Sequence, residues 1–398
     1  MMFDPALLMD PVYAPMTKME SPFAFQMALE GHPDEMNWAD PFRPDDVVPE
    51  HVKQAVMESL NTMAAHYTFP VGDQELREEV AKRVRKINGL DVDAGRNVII
   101  SCGSDNLFVF AMRPFLTPGE QCEVMMPMPS YSHNFMVPPM IGGVSVEVPT
   151  YPEDNYELRI EEFEKRVTDK TRIVMITNPN NPTSTVYKRE TMEKLADFVI
   201  RNNLILIVDQ AFEDTAFDGH EVICPATLPG MKERTVILGS LSKGMALCGF
   251  RVAYLVASEA LSNVYQNMSV FFLGAPNTMA QAGAIAALKN PAFVEDYRQE
   301  YMARAKAIAE ILSEVPHLKF NMPQSGFFFW IDVSHYGTDN EIVGYLAKEA
   351  NVLISGGSMC NDTRHIRLIY GALRDREACI NAVKRIADAF RRHPRAAE

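Results

Sequence analysis

Seven apolar runs, each four to six residues long, recur between Asn97 and Val256. They are Asn97–Ser101, Glu123–Met126, Val144–Val148, Arg172–Thr177, Leu204–Asp209, Thr235–Gly239 and Val252–Val256. Runs this short and this apolar read as strands buried on both faces. Amphipathic stretches separate many of them, such as Lys188–Asn202. Buried strands alternating with helices imply an α/β fold with a mostly parallel sheet flanked by helices. Ahead of the runs, Val52, Ala55, Val56, Leu60, Met63 and Ala64 recur at helical spacing, and Glu75–Lys86 forms a further helix that ends near Gly89.

The tail has a different rhythm. Pro291–Val315 reads as one long helix. After it come short elements: Phe327–Asp332, Glu341–Ala350, Asn351–Ser355, His365–Tyr370 and a last helix from Arg374. That α+β character marks a second, smaller domain. Residues 1–50 are rich in Pro, Met and Asp and read as an arm, a short helix near Phe23–Leu29 and a loop.

Composition narrows the function classes. Asp and Glu outnumber Lys and Arg by 52 to 38, a net charge of −14, so a nucleic-acid partner is not expected. No apolar run reaches about 18 residues, so no membrane span is expected. The N-terminus carries Asp4 and Asp10 and no basic residue before Lys18, unlike a secretory signal, and a cytosolic protein is expected. The six cysteines form no CxxC pair and read as reduced thiols. HExxH is absent and no two histidines lie within four residues of each other, so no metal site is expected.

In open parallel sheets, ligands bind beyond the carboxyl ends of the strands. Four segments with chemical potential sit there. Ser240-Leu-Ser-Lys243 places a lysine after a strand, with Arg251 eight residues on. A lysine kept off the surface suits Schiff-base chemistry, and an arginine offers a fork to a phosphate. Asn178-Pro-Asn-Asn181-Pro-Thr-Ser184 is a proline-fixed turn that can aim an Asn side chain into a cleft. Asp209 ends a fully apolar strand, where a buried carboxylate needs a cation or a donor. Cys102-Gly-Ser-Asp105-Asn106 feeds an apolar helix whose first N–H groups can cup an anion. Each segment alone also has an ordinary reading: a surface lysine, a loop, a capping Asp, a plain N-cap.

Together and in this order, the segments resemble the fold-type I pyridoxal-phosphate enzymes, specifically the class I/II aminotransferases related to aspartate aminotransferase. The likeness runs from about Ser21 to the last helix and takes in Tyr67 in HYTFPVGDQELR, Tyr131 in PMPSY and Arg367 in IRLIYG. It implies that Lys243 carries the cofactor as a Schiff base and shuttles the proton. Asp209 would pair with the pyridinium nitrogen, so that the ring acts as an electron sink. Asn181 would bond the ring's phenolate oxygen and lie beside the substrate carboxylate. Tyr131 would stack on the ring. Ser104, Asp105, Ser240, Ser242 and Arg251 would hold the phosphate, and Tyr67 would reach the phosphate of a second subunit in a homodimer. Arg367 would clamp the substrate α-carboxylate. The implied domains are an arm over 1–20, a large cofactor domain over 49–290, and a small discontinuous domain over 21–48 and 291–398.

The implied activity is transfer of an amino group between an L-amino acid and a 2-oxo acid. Other pyridoxal-phosphate reactions on the same scaffold stay open: β-elimination, decarboxylation or amino-acid oxidation. A non-enzymatic regulator is a remote alternative. Departures from the family pattern are Phe212 where Tyr is frequent, Gln210 for Glu, Ser184 and Ala253 for Gly, and MNWADPFRPDD without the glycine expected near the substrate. Asp105 stands where some acidic-substrate members carry a cation. Like charges about 5 Å apart at an effective dielectric near 20 cost roughly 3 kcal/mol, so a neutral or aromatic donor is expected. Phe23, Phe25, Met36, Trp38 and Phe42 could line an apolar pocket or simply pack the small domain.

Overall fold

The computed structural model describes residues 9–13, 33–43, 47–62, 65–373 and 375–397. Most of the arm over 1–20, the helix expected near Phe23–Leu29, and Arg374 lie outside these residues. The strands are β1 (Asp34–Met36), β2 (Val98–Ser101), β3 (Glu123–Met128), β4 (Val144–Pro149), β5 (Thr171–Thr177), β6 (Ile205–Asp209), β7 (Thr235–Ser240) and β8 (Ala253–Val256). Then come β9 (Lys319–Phe320), β10 (Phe328–Asp332), β11 (Val352–Gly356) and β12 (His365–Ile369).

All seven apolar runs become strands of one sheet, ordered β2-β8-β7-β6-β5-β3-β4. Neighbours from β7 to β4 are parallel, and β8 runs antiparallel to both β7 and β2. Successive side chains enter opposite cores, as a period of two requires. Ile176, Val208 and Ile237 pack on one face, while Met175, Ile207, Val236 and Leu238 pack on the other. Each such side chain, fully buried, contributes about 1.5–3 kcal/mol.

The topology gathers the chemistry at one edge. β3, β5, β6 and β7 all end there. Because β8 is antiparallel, its start lies beside the ends of β7 and β2, with Ala253 opposite both Ser240 and Ser101. Arg251, two residues before β8, therefore reaches the same edge as Lys243 and the 102–105 loop.

A second sheet, ordered β1-β11-β12-β10-β9, joins the N-terminal strand to the C-terminal third. The long helix spans Phe293–Ser313 and packs on the final helix Arg376–Arg392. Helix Gln74–Asn88 starts with Asp73 accepting from Glu75 N at 2.8 Å and stops where Gly89 turns left-handed at φ 67°.

Of the two readings open for Met36 and Phe42, packing the small domain holds: both are buried in the core of the second sheet, and the Phe42 ring stacks on Tyr301 at 5.3 Å. Phe212 is buried in that same core, with ring centroids 5.7 Å from Phe327 and 5.2 Å from Phe328. Trp38 alone among the described aromatics of that stretch is exposed, and Phe23 and Phe25 lie outside the described residues. Among the described residues no helix is long and apolar enough to cross a membrane.

Candidate active site

Lys243 follows β7 in an irregular turn, half-buried, and its Nζ donates to the Ala39 carbonyl at 2.6 Å. Cys248 Sγ lies 3.8 Å from the same amine and bonds the Ser242 carbonyl at 3.1 Å. Gly244 passes so close to Asp214 that a Cβ would sit 2.3 Å from its side chain, so the lysine turn is seated tightly on the β6 loop.

Asp209 ends β6 and is 4% exposed. Its Oδ1 accepts from Ala211 N at 3.0 Å. Burial dominates its ionisation and, with the Asp105 charge, pushes the carboxyl up to about 7, against the Ala211 bond, the Lys243 charge and the neighbouring Thr177 hydroxyl that pull it down. A buried carboxylate in this state is short of positive charge, which a protonated ring nitrogen would supply.

The turn after β5 presents Asn181, and both Pro179 and Pro182 follow cis peptide bonds. Asn180 ties the turn together through Thr183 Oγ1 at 2.8 Å and Tyr187 Oη at 3.0 Å. Asn181 Oδ1 accepts from Arg367 Nη1 at 2.8 Å. Arg367 sits on β12 of the second sheet, is 8% exposed, and its buried Nε has no partner. A guanidinium held from one side with a donor to spare suits a carboxylate.

On the other flank, helix Asp105–Met112 begins without a side-chain cap at Ser104. Its first amides are thus open to an anion. Gly103, at φ +85°, lets Arg251 lie across the loop, since a Cβ there would be 2.2 Å from Arg251 Nη2. Arg251 Nη2 pairs with Asp105 Oδ2 at 3.0 Å, both half-exposed. Ser240 Oγ accepts from Ser242 N at 3.2 Å, and both serines are buried. Tyr131 caps the helix after β3, donates from Oη to Asp105 Oδ1 at 3.3 Å and stacks on His133 at 4.7 Å. Burial and the two carboxylates Asp105 and Asp209 push the Tyr131 phenol well up, so it stays a neutral donor.

The structure therefore gathers Lys243, Asp209, Asn181, Arg367, Tyr131, Asp105, Ser104, Ser240, Ser242 and Arg251 at one sheet edge. Tyr67 is not brought in: it is 93% exposed, on a turn held by Thr278 Oγ1 to His66 O and Gln281 Nε2 to Thr68 Oγ1. The remaining set fits pyridoxal phosphate. Gly103 leaves a cradle that any other side chain would fill, the helix start and Arg251 face it, and a charge-poor carboxylate lies at the other end. Sequence reasoning missed Thr177, Asn134 and Cys248. Cys248 lies five residues from Lys243, which was the signal available.

Known proteins resemble this chain in sequence and fold. Residues 34–386 match the family described as aminotransferase class I and II. The chain is 33% identical over 321 residues to the aromatic-amino-acid aminotransferase 2 of Thermococcus litoralis, covering 79% of this chain and 81% of that protein. It is 32% identical over 321 residues to the aspartate aminotransferase of Pyrococcus abyssi, with the same coverage of 79% and 81%. It also resembles the solved structure of the aromatic aminotransferase from Pyrococcus horikoshii, with TM-score 0.84 and 29% identity over 92% of this chain and 96% of that one.

Proposed function

The chain belongs to the class I and II aminotransferases, and from that premise we propose that this pyridoxal-phosphate-dependent enzyme takes its amino group from a neutral or aromatic L-amino acid and passes it to a 2-oxo acid. When bound, the cofactor supplies the electron sink that makes the substrate Cα–H acidic. The chain's residues do the rest. Lys243 Nζ takes the proton from Cα and returns it in the reverse half-reaction. Asp209 holds the ring nitrogen protonated, and Tyr131 covers one ring face. Arg251, Ser240, Ser242 and the amides of Ser104 and Asp105 bind the phosphate. Arg367 and Asn181 orient the substrate carboxylate, and the named relatives favour transamination over elimination, decarboxylation or oxidation.

One observation carries the donor preference. Asp105 stays at the site, bonded by Tyr131 Oη and paired with Arg251. Once Arg251 also serves a phosphate, a second substrate carboxylate there would meet an anion. Relatives named for aromatic and for aspartate donors fit the sequence equally well, so the site must decide. Comparing kcat/KM for phenylalanine and aspartate tests the reading: phenylalanine is expected to exceed aspartate, and a clear aspartate preference sinks it.

The same reading includes a homodimer. Tyr67 at 93% exposure, Phe69 at 78% and Phe271 at 86% leave large apolar side chains in water. A second copy would cover them and take Tyr67 to its phosphate. Sedimentation showing a monomer with full cofactor affinity overturns this part. The two sheets support a large domain over 49–290 and a small one over 21–48 and 291–398. The free cysteines fit a reducing compartment such as the cytosol.

A further inference from the structure

Beneath the candidate cofactor position lies a buried polar cluster that none of the assigned roles uses. Thr177 ends β5 and pairs in register with Asp209, which ends β6. Neighbours in register on parallel strands face the same side. Asn134, on the helix Ser132–Met140, reaches the pair from below. Its Nδ2 donates to Thr177 Oγ1 at 3.0 Å and to Ser130 Oγ at 2.8 Å. Asn134, Ser130 and Thr177 are each 0% exposed.

The polarity of this cluster is fixed by elementary inventory. An amide NH2 has only hydrogens to give, so Thr177 Oγ1 is an acceptor toward Asn134. Its single proton is then free for its other neighbour, and the Asp209 carboxylate stands beside it in register on the same face. Asp209 accepts from Ala211 N at 3.0 Å and has the Thr177 hydroxyl beside it as a second donor within the same face. Turning the Asn134 amide over would bury two unpaired N–H hydrogens in place of one unpaired carbonyl oxygen, Oδ1. The first is the more costly arrangement. We propose that Asn134 and Thr177 form a one-way hydrogen-bond relay that holds Asp209 as an anion for the cofactor's ring nitrogen, making both of them positioning residues for transamination.

The inference rests on the reading that Asp209 meets that nitrogen. Other titratable groups face Asp209: Asp105 from the helix after β2, Lys243 from the turn after β7, and the neutral Tyr131 phenol at the start of the helix after β3. None of them changes in a Thr177 variant, so a shift would report the relay. The sign is fixed as well. A donor to the anion favours the charged form, so removing it raises the Asp209 pKa and moves the acid limb of cofactor binding to higher pH.

The test is the pH dependence of the Kd for pyridoxal phosphate, measured on cofactor-free protein by absorbance titration. Thr177→Val keeps the shape and removes the hydroxyl. Its acid limb is expected to move up by about one pH unit, which is tenfold in Kd at a fixed pH on that limb. Thr177→Ser restores the wild-type limb, and Asn134→Ala moves it in the same direction as Thr177→Val but less. An unmoved limb in Thr177→Val, or a Thr177→Ser limb displaced as far as that of Thr177→Val, overturns the relay. Asp209→Asn separates the two readings. If it abolishes the limb while Thr177→Val leaves it in place, only the relay fails. If Asp209→Asn keeps the wild-type Kd and limb, the assignment of Asp209 fails and takes the relay with it.

Discussion

Arg367 Nη1 donates to Asn181 Oδ1 at 2.8 Å, a bond that joins β12 of the second sheet to the turn after β5 of the first. The guanidinium lies 5.8 Å from the centre of the Phe328 ring and keeps Nε unpartnered. It is therefore held in place yet not saturated. Arg367→Lys keeps the charge and loses the fork. Hydrogen bonds to charged groups contribute about 1.5–3 kcal/mol, so kcat/KM should fall roughly ten- to hundredfold. The loss should appear mainly in KM for both amino and oxo acids, with cofactor affinity unchanged. Steady-state kinetics with both substrates and a cofactor titration check it.

Gly103→Ala attacks the phosphate cradle from the backbone. The φ of +85° costs an L-residue about 1–2 kcal/mol, and the new Cβ would lie 2.2 Å from Arg251 Nη2. Arg251 must then leave the loop. Cofactor affinity should fall at least about tenfold, well beyond any change in the thermal midpoint of the cofactor-free protein. An unchanged Kd would show that Arg251 does not need this approach.

Much of this architecture could be read from the chain because its strands are buried on both faces. Such strands must be apolar throughout, so β2, β3 and β5 to β8 announced themselves, while β4 at the sheet edge buries only Val148 and shows instead as alternation in Val-Ser-Val-Glu-Val. β1 did not: Asp34-Glu-Met36 is an edge strand of three residues, paired only on one side with β11, and its polarity carries no strand signal. The core that takes Phe212 and Phe42 was not legible, because hydrophobicity says that a ring is buried, not which of two cores takes it. At the site, residues with one dominant chemistry were legible: Lys243, Asp209, Arg251 and Arg367. Thr177 and Asn134 were not. A hydroxyl at a strand end is ordinary, and its meaning comes from the register with β6 and from a helix reaching across, both tertiary facts.

Arg83 shows the same limit and yields a stability prediction. On helix Gln74–Asn88 it resembles any solvated charge, yet it is 8% exposed. Its Nη2 meets Glu213 Oε1 and Asp214 Oδ2, each at 2.8 Å, and Tyr254 Oη adds a 2.9 Å bond to Glu213. Both carboxylates follow Asp209 on the loop after β6, and Asp214 packs against Gly244 in the lysine turn. Arg83→Met leaves two buried anions unpaired and should cost about 3–5 kcal/mol in a denaturant titration. Adding Glu213→Gln and Asp214→Asn to that variant should recover part of the loss. A small effect in the single variant would mean that water reaches the pair.

Asp209 also links stability to pH in the cofactor-free protein. Burial raises its carboxyl from 3.8 to about 7. The native state then binds this proton more tightly than the unfolded chain does. The contribution is full below about 4 and is lost as pH rises through about 7. Cofactor-free wild type should therefore lose more stability between pH 5 and pH 8 than Asp209→Asn, which has no proton to release. Denaturant midpoints of both proteins at the two pH values decide it. Equal losses would mean that the carboxylate is already paired in the cofactor-free state.

Phe212 offers the last test, because it changes one donor and little else. Its ring is 3% exposed and set edge-on against Phe327 and Phe328. It stands three residues after Asp209, where a tyrosine would bring a hydroxyl to the cofactor's phenolate oxygen. With Phe, that oxygen relies on Asn181, whose Oδ1 is already taken by Arg367. One donor fewer leaves the anion less stabilised and its protonated form favoured to higher pH. Phe212→Tyr should lower the pH midpoint of the bound cofactor's visible absorbance change by about one unit, the scale of one added bond to a charged group. A spectral titration with an unmoved midpoint would show that the new hydroxyl stays within the aromatic core and never meets the ring.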